Sequence, residues 1–240
     1  MSLPCLIVAY RKPEELARCV ESVEGQTIMC QPVVHDNTEN NVGLTVAINT
    51  LIRPYLLTET PYLMWLNQDV VLLPECAENA VAFMDAHPRC AVAGFKQLAM
   101  NEPDFITHGG CEAAYPAGRH ITGHVSKGDC ANSRRMPWVN MAACILRVEA
   151  LRDVGLFNES MFLVGQDSAW CYEATLHNWE VWYCAEAVVW HECDGVSVKP
   201  RPEQVEIIDR DMRAWERWFV ESDVMGRLQG IMAAEETLSE

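Results

Sequence analysis

Four residues in this chain pair a chemically useful side chain with a place where a strand ends or a helix begins: Asp36, Asp69, Asp167 and His191. Asp69 carries the most information. It closes the run Tyr62-Leu63-Met64-Trp65-Leu66-Asn67-Gln68-Asp69, where an apolar segment stops at two amides and a carboxylate before Val70-Val71-Leu72-Leu73-Pro74 resumes the apolar pattern. Burying unpartnered polar groups is costly, so a buried strand has no structural use for that triplet. Open α/β sheets place ligands at the carboxyl ends of their strands, and a carboxylate there suits a hard divalent cation. Asp36 follows a second apolar run and His191 follows the last one. In a parallel sheet such ends share one edge, so Asp36, Asp69 and His191 are expected to converge on one cleft. Taken singly, a strand-end Asp serves as a cap or turn former, and a lone His as a surface residue. Only the combination points to a site.

The elements that would position these residues alternate. Strands are expected over 3–9, 31–35, 62–66, 90–95, 139–147 and 181–190, and helices over 13–23, 43–57, 75–86, 148–154 and 167–178. Pro13 with Glu14 and Glu15 suits a helix start, and Leu44, Ala47, Ile48 and Leu51 recur at helical spacing. Alternation of this kind argues for an α/β fold, a mostly parallel sheet flanked by helices. The pattern lapses between Lys96 and Pro137, a stretch rich in Gly, His, Asn and Ser that reads as a functional or mobile insert. After Gly195 comes the linker Lys199-Pro200-Arg201-Pro202, then a long helix from Glu203 to about Met232. Its stripe of Ile207, Ile208, Met212, Trp215, Trp218 and Phe219 must cover apolar surface on its own domain or on a partner chain.

Composition narrows the functional classes. With 240 residues, half of them hydrophobic, the chain can bury a sizeable core as one large domain or one domain with a tail. A formal net charge of −16 disfavours nucleic acid and anionic membrane as partners. Eleven cysteines are scattered singly without a Cys-x-x-Cys pair, which reads as reduced, mostly buried thiols in a cytoplasmic protein. A zinc reading would rest on Cys184, His191 and Cys193, which lack paired ligand spacing. No signal peptide is visible and no apolar run reaches the roughly 20 residues that span a bilayer, so an integral membrane protein is not expected.

Several blocks carry a family resemblance. They are Leu6-Ile7-Val8-Ala9-Tyr10 with Arg18 to Val23, then Val34-His35-Asp36-Asn37, Asn41-Val42-Gly43-Leu44 and Leu66-Asn67-Gln68-Asp69. The most specific block runs from Trp138 to Arg147, through Gly155-Leu156-Phe157-Asn158-Glu159 and Gln166-Asp167, to Val189-Trp190-His191. In order and spacing these resemble a family 2 glycosyltransferase of the GT-A fold, most of all its rhamnosyltransferase-like branch, over roughly residues 3 to 197. The resemblance implies a Rossmann-like GT-A domain over 1–198, with 199–240 as linker and C-terminal helix.

It also implies a hexosyl-type transfer with inversion, from a nucleoside diphosphate sugar (UDP-, dTDP- or GDP-linked) to a hydroxyl of a glycan or other acceptor. Asp69 and His191 would hold Mn²⁺ or Mg²⁺ to neutralise the departing diphosphate, with Mn²⁺ the more tolerant of imidazole. Asn67 and Asp69 match the family's Asp-x-Asp-type segment. Asp36 matches the residue that hydrogen-bonds the nucleotide base, and Ala9 and Tyr10 would lie against the same nucleotide. Asp167 matches the general base that takes the acceptor proton. Asn67, Gln166 and Met141 stand where the family often has Asp, Glu and Gly. They motivate a second reading, a weak or inactive domain that holds a nucleotide or glycan. A third reading, nucleotidyl transfer, lacks a Gly-rich basic phosphate loop. His108 and the basic residues Arg119, Lys127, Arg134 and Arg135 are further ligand candidates, although a solvated loop accounts for the basic ones. Trp170, Trp179, Trp182 and Trp190 read as core packing. A homodimer through the C-terminal helix is an open possibility.

Overall fold

The computed structural model describes residues 2–112, 118–192, 200 and 202–229, apart from the side chain at 203. Cys193, Lys199 and Arg201 of the expected linker and the last residues of the expected tail helix lie outside the described residues. The elements run β1 (Leu3–Ala9), α1 (Pro13–Glu24), β2 (Cys30–Asp36), α2 (Leu44–Ile52), β3 (Tyr62–Asn67), β4 (Val70–Leu72), α3 (Cys76–Ala86) and β5 (Cys90–Ala99). Short strands follow: β6 (Glu102–His108), β7 (Cys111–Glu112), β8 (Arg119–His120), β9 (Gly123–His124) and β10 (Arg134–Arg135). The chain ends with β11 (Ala143–Arg147), α4 (Val148–Val154), α5 (Gln166–Leu176), β12 (Glu180–His191) and α6 (Pro202–Glu221).

The central strands lie in the order β2-β1-β3-β11-β5-β12. β1, β2 and β3 run parallel, β11 runs antiparallel to both β3 and β5, and β12 is again parallel to β5. All but β11 therefore point the same way, giving the mostly parallel α/β sheet expected. Alternation along each strand explains why both faces are covered. Leu6, Val8, Leu63, Trp65, Cys144 and Leu146 pack with Ile48, Leu151, Trp170 and Trp215 on one face. Cys5, Ile7, Met64, Leu66 and Ile145 pack with Cys19, Val23, Ala80 and Met84 on the other. A strand with two buried faces must be apolar at every position, and all seven residues of β1 are buried.

Three expectations are corrected. The helix from Gly43 stops at Ile52, and Arg53–Leu57 tightens into a 3₁₀ turn, because Pro54 supplies no N–H to continue the α-helix. The stretch after Lys96 is not structureless. β5 continues to Ala99, pairs antiparallel with β6 across two irregularities, and β6 pairs with β9. β6 contains Pro103 and Asp104, which hide a strand in sequence yet are tolerated near a sheet edge. Finally, the strand expected from Val139 begins only at Ala143. Residues 138–142 leave the sheet and lie across it, close over Gly94, where an added Cβ would stand 2.6 Å from Val139 Cβ.

α6 lies against α5. Trp215, 1% exposed, donates from Nε1 to Ser168 Oγ at 2.9 Å, and Trp218 donates to Glu173 at 3.1 Å. The fully buried Asp211 carboxylate accepts the backbone N–H groups of Leu163 and Val164 at 2.6 and 3.2 Å, so α6 holds the loop that leads into α5. Among the described residues no helix is long and apolar enough to cross a membrane.

Candidate active site

β4 folds back from β3 and pairs antiparallel with the end of β12, in a register that sets Val70 opposite His191. The turn between β3 and β4 carries Asp69, and the Glu192 N–H donates to the Asp69 carbonyl at 3.1 Å. This pairing brings Asp69 Oδ1 to 3.5 Å from His191 Nε2. Both side chains are largely buried, with 21% and 11% of their surface exposed. Two groups so placed suit one divalent cation, whose oxygen and nitrogen ligands stand about 2.1 Å from it.

The imidazole is oriented by a chain of bonds that starts at the backbone. Ala142 N–H donates to Asn140 Oδ1 at 2.7 Å. That oxygen also accepts from Gln97 Nε2 at 3.4 Å, which leaves Gln97 Oε1 to accept from His191 Nδ1 at 2.9 Å. With the proton on Nδ1, Nε2 turns its lone pair toward Asp69, the tautomer that a metal ligand needs. The same short segment reaches β3, since Asn67 N–H donates to the Ala142 carbonyl at 2.7 Å. Gln97 and Asn140 escaped the sequence reading: an amide in an extended strand has no periodic signature, and its partner lies 43 residues away.

Asp167 enters from the other direction. Gly165 takes φ 90° just before α5, a left-handed conformation that favours glycine, and α5 starts at Gln166. The Asp167 carboxylate accepts from Ser168 N–H at 2.8 Å, and the Met141 backbone N–H lies near enough to favour its charged form. Burial pushes its pKa up to about 6, against the pull of these donors. Gln166 is almost wholly buried and its Oε1 has no hydrogen-bond partner among the described residues. Position 166 faces inward, whereas Asp167 keeps partial exposure.

The remaining expected nucleotide residues stand on the same edge but further along. Asp36 ends β2 and pairs in register with Ala9 at the end of β1. Two strand spacings, about 10 Å, separate β2 from β3, so Asp36 shares the edge with Asp69 without touching it. Its carboxylate accepts from Thr38 N–H at 2.9 Å, and the Thr38 bonds hold its pKa below the usual carboxylate value. Gln68, unassigned from sequence, accepts Tyr10 N–H at 2.7 Å and donates to the Tyr10 carbonyl at 3.1 Å. It locks the β1 and β3 ends together.

The basic candidates are mostly committed elsewhere: Arg119 pairs with Glu112 and Arg135 with Glu180, and Arg134 donates to the Gly109 carbonyl at 3.1 Å. Trp170 is buried and donates to the Gly155 carbonyl at 2.8 Å. Every described cysteine is a free thiol, and Cys184 Sγ lies 3.7 Å from Glu186.

This sheet, with its crossing segment 138–142 and an edge carrying Asp69, His191 and Asp167, is the GT-A glycosyltransferase fold. The profile of the family described as "Glycosyltransferase like family 2" matches residues 5–217, and the chain belongs to that family. No curated protein matches the chain in sequence. Among solved structures it is similar to GalNAc-T7 crystallised with UDP, GalNAc and Mn²⁺, with TM-score 0.61 and 12% identity, over 91% of this chain and 50% of that one. It is also similar to TarS of S. aureus, with TM-score 0.54 and 14% identity, over 91% of this chain and 44% of that one. A TarS fragment spanning residues 1–349 aligns at TM-score 0.54 and 15% identity, over 92% of this chain and 72% of the fragment. At these identities the likeness concerns the fold. The chain spans about half the length of GalNAc-T7 and less than half of TarS.

Proposed function

We propose that this domain transfers a sugar, with inversion, from a nucleoside diphosphate sugar to an acceptor hydroxyl, with Asp167 as general base. The observation that carries the reading is the segment Asn140–Ala142, which ties Asp167 to the Asp69–His191 pair through Met141, Asn67 and Gln97. A carboxylate with a pKa of about 6 is ionised at neutral pH yet basic enough to accept a proton. Asp167 takes the proton as the acceptor oxygen attacks the anomeric carbon, on the face opposite the departing diphosphate.

Asp69 and His191 would hold Mn²⁺ or Mg²⁺, which when bound supplies charge neutralisation for the leaving diphosphate. The Mn²⁺ and UDP bound by GalNAc-T7 support that class of cofactor and donor. Gln97 keeps the His191 lone pair directed at the ion, and Gln68 fixes Tyr10 beside the nucleotide. Asp36 would read the base, about two strands from the diphosphate. Asn67 would contact the donor through its amide. The rhamnosyltransferase-like assignment rests on the sequence blocks alone. We read residues 1–198 as the catalytic domain and 199–240 as linker and helix. A homodimer would use the outer side of the tail, where Val205 and Val220 are exposed. The free thiols favour a cytoplasmic location.

A thermal-shift screen of UDP-, dTDP- and GDP-sugars with and without Mn²⁺, followed by nucleotide-release assays, tests the reading. The expected result is one base class that stabilises the protein only with metal and is turned over. Unchanged turnover in Asp167→Asn would remove the base assignment. A donor that binds without transfer or hydrolysis would favour the weak or inactive domain that Asn67 motivates.

A further inference from the structure

We propose that His108, Cys111 and His120 form a second metal site, suited to a zinc-class dication and separate from the Asp69–His191 pair. The fold brings the three together on one hairpin. β6 ends at His108, Gly109 and Gly110 turn the chain, and β7 then pairs with β8 so that Cys111 stands directly opposite His120. Each residue offers one ligand atom, and these atoms all lie within 4.8 Å of one another. Cys111 Sγ is 3.7 Å from His108 Nδ1. Sulfur and nitrogen ligands on one tetrahedral zinc ion, at about 2.3 and 2.1 Å from the metal, stand about 3.6 Å apart.

The donor set is enclosed: His108 and Cys111 are fully buried, and His108 Nε2, the ring nitrogen other than the one beside Cys111 Sγ, has no hydrogen-bond partner among the described residues. Binding exchanges the Cys111 proton for the ion: one S–H bond breaks, one sulfur–metal bond forms, and the proton passes to solvent.

The donor set decides which ion fits. Two imidazoles and a thiolate are borderline-soft, whereas Asp69 and His191 offer a carboxylate and one imidazole. The two sites should therefore discriminate, zinc-class ions going to the hairpin and Mn²⁺ or Mg²⁺ to the Asp69 edge. Position suggests a stapling role. The His120 ring meets Trp138 edge-on at 5.7 Å, and Trp138 Nε1 donates to the Glu112 carbonyl at 3.3 Å. The hairpin is thus docked on the residue that opens the 138–142 segment.

Co²⁺ is the probe, because a thiolate ligand gives it a charge-transfer band in the near ultraviolet. The chelator-treated 240-residue chain is titrated with Co²⁺ and then with Zn²⁺. The expected result is a band that saturates at one equivalent and disappears when Zn²⁺ displaces Co²⁺. Cys111→Ser should abolish it. His120→Gln, at a partly exposed position where folding can be verified by circular dichroism, should weaken binding by at least about 100-fold, the upper end of what losing even an outer-shell partner costs. Asp69→Ala should leave the band in place. No band in the wild type, a band that survives Cys111→Ser or folded His120→Gln at full affinity, or a band lost in Asp69→Ala would each overturn the proposal.

Discussion

Two ends of one sheet edge are built on different plans. At the β12 end, Asp69, His191, Gln97 and Asp167 come from four separate elements and are joined by bonds that cross the fold, with Asn140–Ala142 as their hub. At the β2 end, Asp36 is exposed and satisfied by Thr38, two residues away. The first arrangement removes water and fixes direction, which raises the basicity of a carboxylate and selects a tautomer. The second leaves a carboxylate hydrated and acidic, able to meet a ligand but poor at accepting a proton. On the proposed reading, chemistry at the first end and recognition at the second ask for these opposite environments.

The contrast can be broken most severely at Asp167. Asp167→Asn should lower kcat by about 10²–10⁴-fold while donor affinity stays near wild type, as read by nucleotide release and calorimetry. In the wild type, kcat/KM should fall as pH drops through about 6, because the base is then protonated. The stability effect has the opposite sign. The folded-state pKa lies above the ordinary 3.8, so folding favours the protonated form. Whatever stability that gives is complete at low pH and is lost as pH rises through about 6. Asp167→Asn should therefore raise the melting temperature at pH 7.5 and have little effect at pH 3.5.

Asp69→Ala should come next, cutting turnover on the order of 10³-fold and abolishing stabilisation by Mn²⁺ plus donor. Gln97→Leu sharpens the comparison, because it removes the acceptor for His191 Nδ1 and the donor to Asn140 while leaving Asp69, His191 and Asp167 in place. It should raise the Mn²⁺ requirement by about 10–100-fold, with turnover recovering at saturating metal. The smallest effect belongs to the exposed end. Asp36→Ala should raise KM for the donor about tenfold through one lost charged hydrogen bond, with kcat unchanged. If Asp36→Ala lowered kcat as much as Asp69→Ala does, the two ends would not differ as drawn.

Much of this was legible in the residues. β1 and β3 announce themselves because strands buried on both faces must be apolar throughout, and each expected site residue sits where an apolar run stops. The antiparallel direction of β11 was not legible, since an apolar run has no polarity in its pattern. β6 was hidden by Pro103 and Asp104, and the early departure of residues 138–142 from the sheet by an apolar run that continues into β11.

The sequence alone therefore determined which segments must be buried, which carboxylates and imidazole interrupt them, and the family order of the blocks. Hydrophobic burial is a local demand on each residue and leaves its record along the chain. Only the tertiary structure decided that β4 folds back to set Asp69 3.5 Å from His191, that Gln97 orients the ring, and that Asp167 is desolvated. It also decided that His108, Cys111 and His120 meet on one hairpin. Those facts depend on the direction of side chains from distant elements and on excluded water, quantities that exist only once the sheet has closed.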